Sequence, residues 1–169
     1  DRTSRGLGDV YKRQAHTTTR YNIIAIGEGA AQNVTSDNIV ALGYNAGNLQ
    51  TSGSSNTYIG SYAGEKITNK NANTFVGDTA GRYVTSHSNT AVGAYALRNF
   101  NGGSQSTYAS NSAFGRDSMR DATTASTNNA FGNGSLQSVG GGQSNAAFGH
   151  ESLKDCSGQY NTGVGRFAG

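Results

Sequence analysis

Asn73-Thr74-Phe75-Val76-Gly77-Asp78-Thr79-Ala80-Gly81 decides the fold, because its frame returns along the chain. It recurs as Asn56-Thr57-Tyr58-Ile59-Gly60, Asn89-Thr90-Ala91-Val92-Gly93, Asn111-Ser112-Ala113-Phe114-Gly115, Asn128-Asn129-Ala130-Phe131-Gly132, Asn145-Ala146-Ala147-Phe148-Gly149 and Asn161-Thr162-Gly163-Val164-Gly165. Two earlier units, Asn22-Ile23-Ile24-Ala25-Ile26-Gly27 and Asn38-Ile39-Val40-Ala41-Leu42-Gly43, carry one more residue between Asn and Gly. The nine repeat glycines follow one another at intervals of 16, 17, 17, 16, 22, 17, 17 and 16 residues. Self-similarity at such a period marks a solenoid, in which each unit buries its apolar side only by stacking on its neighbours.

Taking each repeat glycine as position 0 turns the units into columns, which stacked rungs place about 4.8 Å apart. Position −1 is an unbroken apolar ladder: Ile26, Leu42, Ile59, Val76, Val92, Phe114, Phe131, Phe148 and Val164. Such a column calls for burial. Position +3 is small throughout (Ala30, Ala46, Ala63, Ala80, Ala96, Ser118, Ser135, Ser152, Ala168) and is expected inside the coil. Position +7 is mostly apolar (Val34, Gln50, Ile67, Val84, Phe100, Ala122, Val139, Cys156) and suits a second short strand, so Cys156 reads as a small buried hydrophobe. Position +5 mixes Glu65 with Arg82, Arg98, Arg120 and Lys154 and is expected to face water. The glycine answers a need for positive φ or close backbone approach, and the Asn four residues earlier suits an amide ladder between rungs. The expected fold is all-β, a parallel β-solenoid of about nine 16–17-residue rungs.

Composition agrees with a thin polar coil. Of 169 residues 34% are hydrophobic and 14% charged, with no Pro and no Trp, which leaves too little apolar matter for a conventional large core. The longest aliphatic runs, Ile23–Ile26 and Ile39–Leu42, are far too short to span a bilayer, so no membrane insertion is expected. The net charge of +3 invites a nucleic-acid reading, yet Arg2, Arg5, Lys12 and Arg13 crowd the first fourteen residues. Beyond them nine bases face eight acids, a net +1, and no nucleic-acid partner is expected. Within that basic stretch, Asp9-Val10-Tyr11-Lys12-Arg13-Gln14 resembles the translated mosaic-end adaptor of transposase-based sequencing libraries. Residues 1–14 are therefore read as a non-native, adaptor-derived segment and 15–169 as the repeat domain, cut mid-rung at both ends.

A coil of 16 or 17 residues with a small-residue column inside encloses little volume, so the bulky position −1 is expected to point outward. Self-association about an axis parallel to the rod would then bury it, with trimerisation the favoured solution. Here the residues resemble a known family. The Asn22 and Asn38 units are similar to head repeats of trimeric autotransporter adhesins, and the Asn89-Thr90-Ala91-Val92-Gly93 type with Ala96-Leu97 is similar to phage tail-fibre repeats. The resemblance covers about residues 20–169 and implies a left-handed parallel β-roll assembled as a homotrimer. The function it implies is that of a non-enzymatic extracellular segment of a virion tail fibre, projecting a receptor-binding tip for host attachment. The alternative it implies is a bacterial surface adhesin head.

Catalytic chemistry finds little support. The register-matched acids, Asp117 with Glu151 and Asp121 with Asp155, lie two rungs or about 9.5 Å apart, the upper edge for an inverting glycosidase, with nothing flanking them to raise a pKa. His16, His87 and His150 occupy unrelated columns, so neither a metal nor a cofactor is expected. A contact site with a cell-surface glycan or protein receptor is expected at the 22-residue interval, around Gln105 and Tyr108, and at Tyr44, Tyr62, Tyr95 and Phe167, whose rings suit glycan stacking if exposed. Thr35, Thr51, Thr68 and Thr85 share a column that suggests ice binding, but the ladder fails at Asn101, Gly140 and Ser157.

Overall fold

Alternation along each short apolar segment settles which residues the coil swallows. The computed structural model describes residues 22–101 and 109–169; the segments read as adaptor-derived and as the loop holding Gln105 and Tyr108 lie outside the described residues. Nine strands precede the nine repeat glycines: β1 (Ile23–Ile26), β2 (Ile39–Leu42), β3 (Asn56–Ile59), β4 (Thr74–Val76), β5 (Thr90–Val92), β6 (Ser112–Phe114), β7 (Asn129–Phe131), β8 (Ala146–Phe148) and β9 (Thr162–Val164). They form one parallel sheet in chain order, each strand lying on the next, so the chain is an all-β solenoid. The register follows the sequence columns, as in Ile59↔Val76, Val76↔Val92 and Val92↔Phe114. At the sheet spacing, the eight intervals between nine strands give a rod about 38 Å long.

Successive side chains of a strand face opposite ways. Positions −4 and −2 therefore point into the coil, and −3 and −1 point out. Ala41, Tyr58, Phe75, Ala91, Ala113, Ala130 and Ala147, all at −2, are fully buried. The −1 ladder is thus not the interior column of the coil, because it shares its strand face with the Thr-rich position −3. Positions +3 and +7 do lie inside, from Ala30 to Ser152 and from Val34 to Val139, with Cys156 half-buried at the last rung.

The expected second strand at +7 is absent, since each rung holds one strand among the described residues. After the glycine the backbone runs through successive tight turns. In the rung of Gly43, Ala46 N–H bonds to Gly43 O, Asn48 N–H to Asn45 O and Gln50 N–H to Gly47 O at 3.2–3.3 Å. Asn45 and Gly47 have φ of 53° and 57°, the left-handed third residue that a type II turn requires. The intervening N–H groups of Asn45, Gly47 and Leu49 reach the adjacent rungs at Glu28 O, Ala63 O and Glu65 O. Every second donor closes a turn and every other one ties rungs together, so a turn-rich arc satisfies its backbone without a strand.

Asparagine at −4 forms the interior ladder expected of it. The backbone N–H groups of Asn73, Asn89, Asn111, Asn128, Asn145 and Asn161 each donate to the Oδ1 of the Asn one rung earlier, at 2.8–3.2 Å. Their Nδ2 groups also hold the far side of the coil, as Asn56 does at Lys70 O (2.7 Å) and Asn128 at Gly142 O (2.9 Å). The first two units do not insert a residue. Ile39 stacks on Asn56 in the sheet, so an isoleucine fills the ladder position, while Asn22 and Asn38 sit one residue earlier with φ of 64° and 59°. Later units place Ser55, Ser88 or Ser144 there in the same left-handed conformation.

Candidate functional site

The outward strand face is the surface that the fold leaves unfinished. It carries two columns, −3 (Ile24, Val40, Thr57, Thr74, Thr90, Ser112, Asn129, Ala146, Thr162) and −1, and neither contains a charge. At −1, Ile26, Phe131, Phe148 and Val164 are exposed, by 51%, 37%, 44% and 72%. Leu42, Ile59, Val76, Val92 and Phe114 are half-buried against their neighbours on the ladder. The rings of Phe114, Phe131 and Phe148 stack face on face, with centroids 4.8 and 5.1 Å apart and planes within 4° of parallel. A stripe of this length on one chain exceeds the scattered apolar exposure normal for a soluble surface. Position −3 was not singled out from the sequence, although its period-2 relation to −1 places it on the same face.

The aromatic residues expected to meet a receptor fall on the turn arc instead, in two groups. Tyr44 and Tyr62 meet edge to face, with centroids 5.2 Å apart, and Tyr44 is 44% exposed. Arg82 lies over the Tyr62 ring at 4.7 Å and over Tyr83 at 5.1 Å. Partial desolvation, followed by the Tyr44 hydroxyl nearby, raises the Tyr62 phenol above its ordinary range. Tyr95 forms the second group, with Arg98 and Arg116 at 5.6 and 6.0 Å from its ring. Phe167 pairs with His150 and carries Arg166 over its ring. Guanidinium groups therefore lie near the rings of Tyr62, Tyr95 and Phe167, while Tyr44 and Phe167 keep about half of their surface exposed. Tyr108 and Gln105 belong to the loop outside the described residues. On either side of it the coil is in register, with Asn101 bridged to Thr123 and Ala109 N–H bonded to His87 O.

Ion pairs occupy four of the acidic side chains, Glu65, Asp117, Asp121 and Glu151. Glu65 is buried rather than solvated, as its +5 position suggested, between Lys66 (2.9 Å) and Arg82 (2.5 Å). Burial pushes its carboxyl up, but the hydrogen bonds and charges of those two cations outweigh it and hold the pKa below the ordinary value. Asp117 is shared between Arg116 and Arg120, Glu151 pairs with Lys154, and Asp121 is held by Arg120 (2.8 Å) and Asn99 Nδ2 (2.7 Å). Burial likewise raises Asp121, and Asn99 and Arg120 bring it below its ordinary value. Glu65 and Asp121 are thus shifted away from the raised pKa that a general acid needs.

Among the described residues no three His, Cys, Asp or Glu side chains gather as metal ligands, and no helix is long and apolar enough to cross a membrane. The Thr column at +8 faces solvent, but Thr35 and Thr51 donate their hydroxyls to Thr51 O (2.5 Å) and Thr68 O (3.1 Å). Those hydroxyls serve the coil itself. No family model, curated protein or solved structure matches the chain.

Proposed function

We propose that this chain is a non-enzymatic, fibre-forming segment of an extracellular homotrimer, of the tail-fibre kind, that carries a receptor-binding element away from its base. One observation carries the reading: an uncharged, largely apolar strand face runs along all nine rungs on the outside of the coil. Burial of the exposed part of each Val, Ile, Leu or Phe contributes on the order of 1 kcal/mol per rung, so a rod of nine rungs gains enough to hold chains side by side. The stripe is one apolar column wide with a more polar column beside it. That profile fits a face converging on a threefold axis, where each ladder meets two others. Tail-fibre identity rests on the resemblance of the Asn89 type of unit.

Light scattering after size exclusion tests it. The expected mass is three times the 17.4 kDa of the chain, and Phe131→Glu is expected to yield folded monomer, since it places a charge in the ladder without touching the interior. A wild-type chain that stays monomeric across a hundredfold range of concentration would overturn the reading.

A further inference from the structure

Two columns of the turn arc meet across every rung boundary. The backbone N–H at position +2 donates to the carbonyl at +1 of the rung before, as Asn45 does to Glu28, Tyr95 to Asp78 and Phe167 to His150, each at 2.9 Å. Side chains at +1 and +2 of successive rungs are therefore held side by side. At the last boundary the His150 and Phe167 rings meet edge to face, with centroids 5.4 Å apart and planes at 83°. The same geometry recurs between the second and third rungs with Tyr44 and Tyr62, where the hydrogen bond is 2.8 Å, the centroids 5.2 Å apart and the planes at 87°. Among the described residues this is the one place where two phenol rings touch. Tyr58 is sealed in the coil against Phe75, and the +1 neighbour of Tyr95 is Asp78. Tyr44 is 44% exposed, and Tyr62 is half-buried with Arg82, itself anchored on Glu65, standing over its ring at 4.7 Å. One ring is open to attack from solution, and its neighbour is held in place beside it.

We propose that Tyr44 and Tyr62 form an oxidative crosslinking site, joined ring to ring by a haem peroxidase and hydrogen peroxide into a dityrosine staple between the second and third rungs. Each phenol gives up one electron and its proton, and hydrogen peroxide takes up the two electrons and two protons to leave two molecules of water. The unpaired electrons lie in part on the Cε carbons next to the phenol oxygens. One Cε of each ring forms the new carbon–carbon bond. The hydrogen on each of these carbons then moves to its own phenol oxygen, which restores two aromatic phenols and leaves the pair two hydrogens lighter. Prior contact makes the coupling intramolecular, because a radical on Tyr44 meets Tyr62 before it meets another chain. The crossed planes do not oppose the bond, since the two rings of a biaryl are themselves twisted about it. Both rings lie on the turn arc, away from the outward strand face, so the staple does not depend on self-association. It closes a covalent loop from residue 44 to residue 62, and the chemical-denaturation midpoint is expected to rise.

Peptide mapping tests the site. The chain is treated in dilute solution with a haem peroxidase and hydrogen peroxide, then digested with a protease that cuts after Leu49 and Tyr58. The expected products are dityrosine fluorescence and the Tyr44 and Tyr62 peptides joined, two hydrogens lighter than their sum. Tyr44→Phe keeps the ring and removes the phenol. It is expected to lower the joined product about tenfold or more at an unchanged circular dichroism spectrum. Adding His150→Tyr and Phe167→Tyr to that variant puts two phenols on the same geometry at the last boundary, and a crosslink is expected there. Absence of dityrosine in the wild type would overturn the proposal, as would dityrosine confined to other tyrosines such as the exposed Tyr160, or a yield that Tyr44→Phe leaves unchanged. A folded chain with the two new tyrosines that gives no second crosslink would overturn the role of the rung geometry.

Discussion

The repeat glycine shows how one residue type answers two requirements at once. Gly77 has φ of 134°, where side chains are strained, and a Cβ built on it lies 2.5 Å from Gly93 O of the next rung. Backbone, not a flexible side chain, is in the way. Gly77→Ala is therefore expected to destabilise the chain by at least ~2 kcal/mol, as a loss in chemical-denaturation midpoint at unchanged slope. His87 is the second case. Its Nδ1 accepts the Asn71 N–H at 3.0 Å, which requires an unprotonated nitrogen, and burial, followed by the Lys70 charge, lowers its pKa below the ordinary 6.5. The folded state thus binds a proton less readily than the unfolded one. Stability from this group is present in full above about pH 6.5 and declines as pH falls toward the lower folded value. Thermal melts from pH 7.5 to pH 5 are expected to show that decline in the wild type and a flatter profile in His87→Gln, the carboxylates of Glu65 and Asp121 titrating at lower pH.

At the scale of the rung, the interior conserves volume by trading it across the coil. Tyr58 and Phe75 at −2 lie against Gly64 and Gly81 at +4, where an added Cβ would sit 2.4 and 2.3 Å from the rings. In later rungs Ala91, Ala113, Ala130 and Ala147 take −2, and Leu97, Met119, Leu136 and Leu153 take +4. Leu97 accepts a φ of 50° to fill that space. Ala91→Phe alone is expected to overpack its rung by about 1–3 kcal/mol, and adding Leu97→Gly is expected to recover at least half, measured as a double-mutant cycle. This trade was present in the sequence as a pairing of two columns, and reading either column alone hides it. Register was legible because the glycines and asparagines repeat with nearly constant spacing. Orientation took a volume argument as well: −1 is uniformly apolar, whereas −2 mixes Ala, Tyr, Phe and Gly, so hydrophobicity by itself favours −1 as the core column, and the small interior of a 16–17-residue coil is what turns it outward. The +7 column was rightly placed inside but misread as a strand, because its turns are set by left-handed residues such as Asn45, Tyr62 and Tyr95, whose side chains do not announce that conformation.

For the whole molecule, the direction of its hydrogen bonds matters more than their number. Strand bonds between rungs run across the strands and hence along the rod, as do the Asn ladder and the alternate donors of the turn arc. Tension applied to the two ends of the rod reaches these bonds one rung after another, beginning at an end. When a rung peels away, its 16 or 17 residues extend to roughly 55 Å in place of about 4.8 Å, a lengthening of about tenfold. Single-molecule pulling is expected to show a train of small steps near that length, whereas one abrupt event releasing all rungs together would contradict it. A tether built this way yields by increments under a sudden load, giving up one coil to spare the remainder, and can rewind from the rungs that stay stacked.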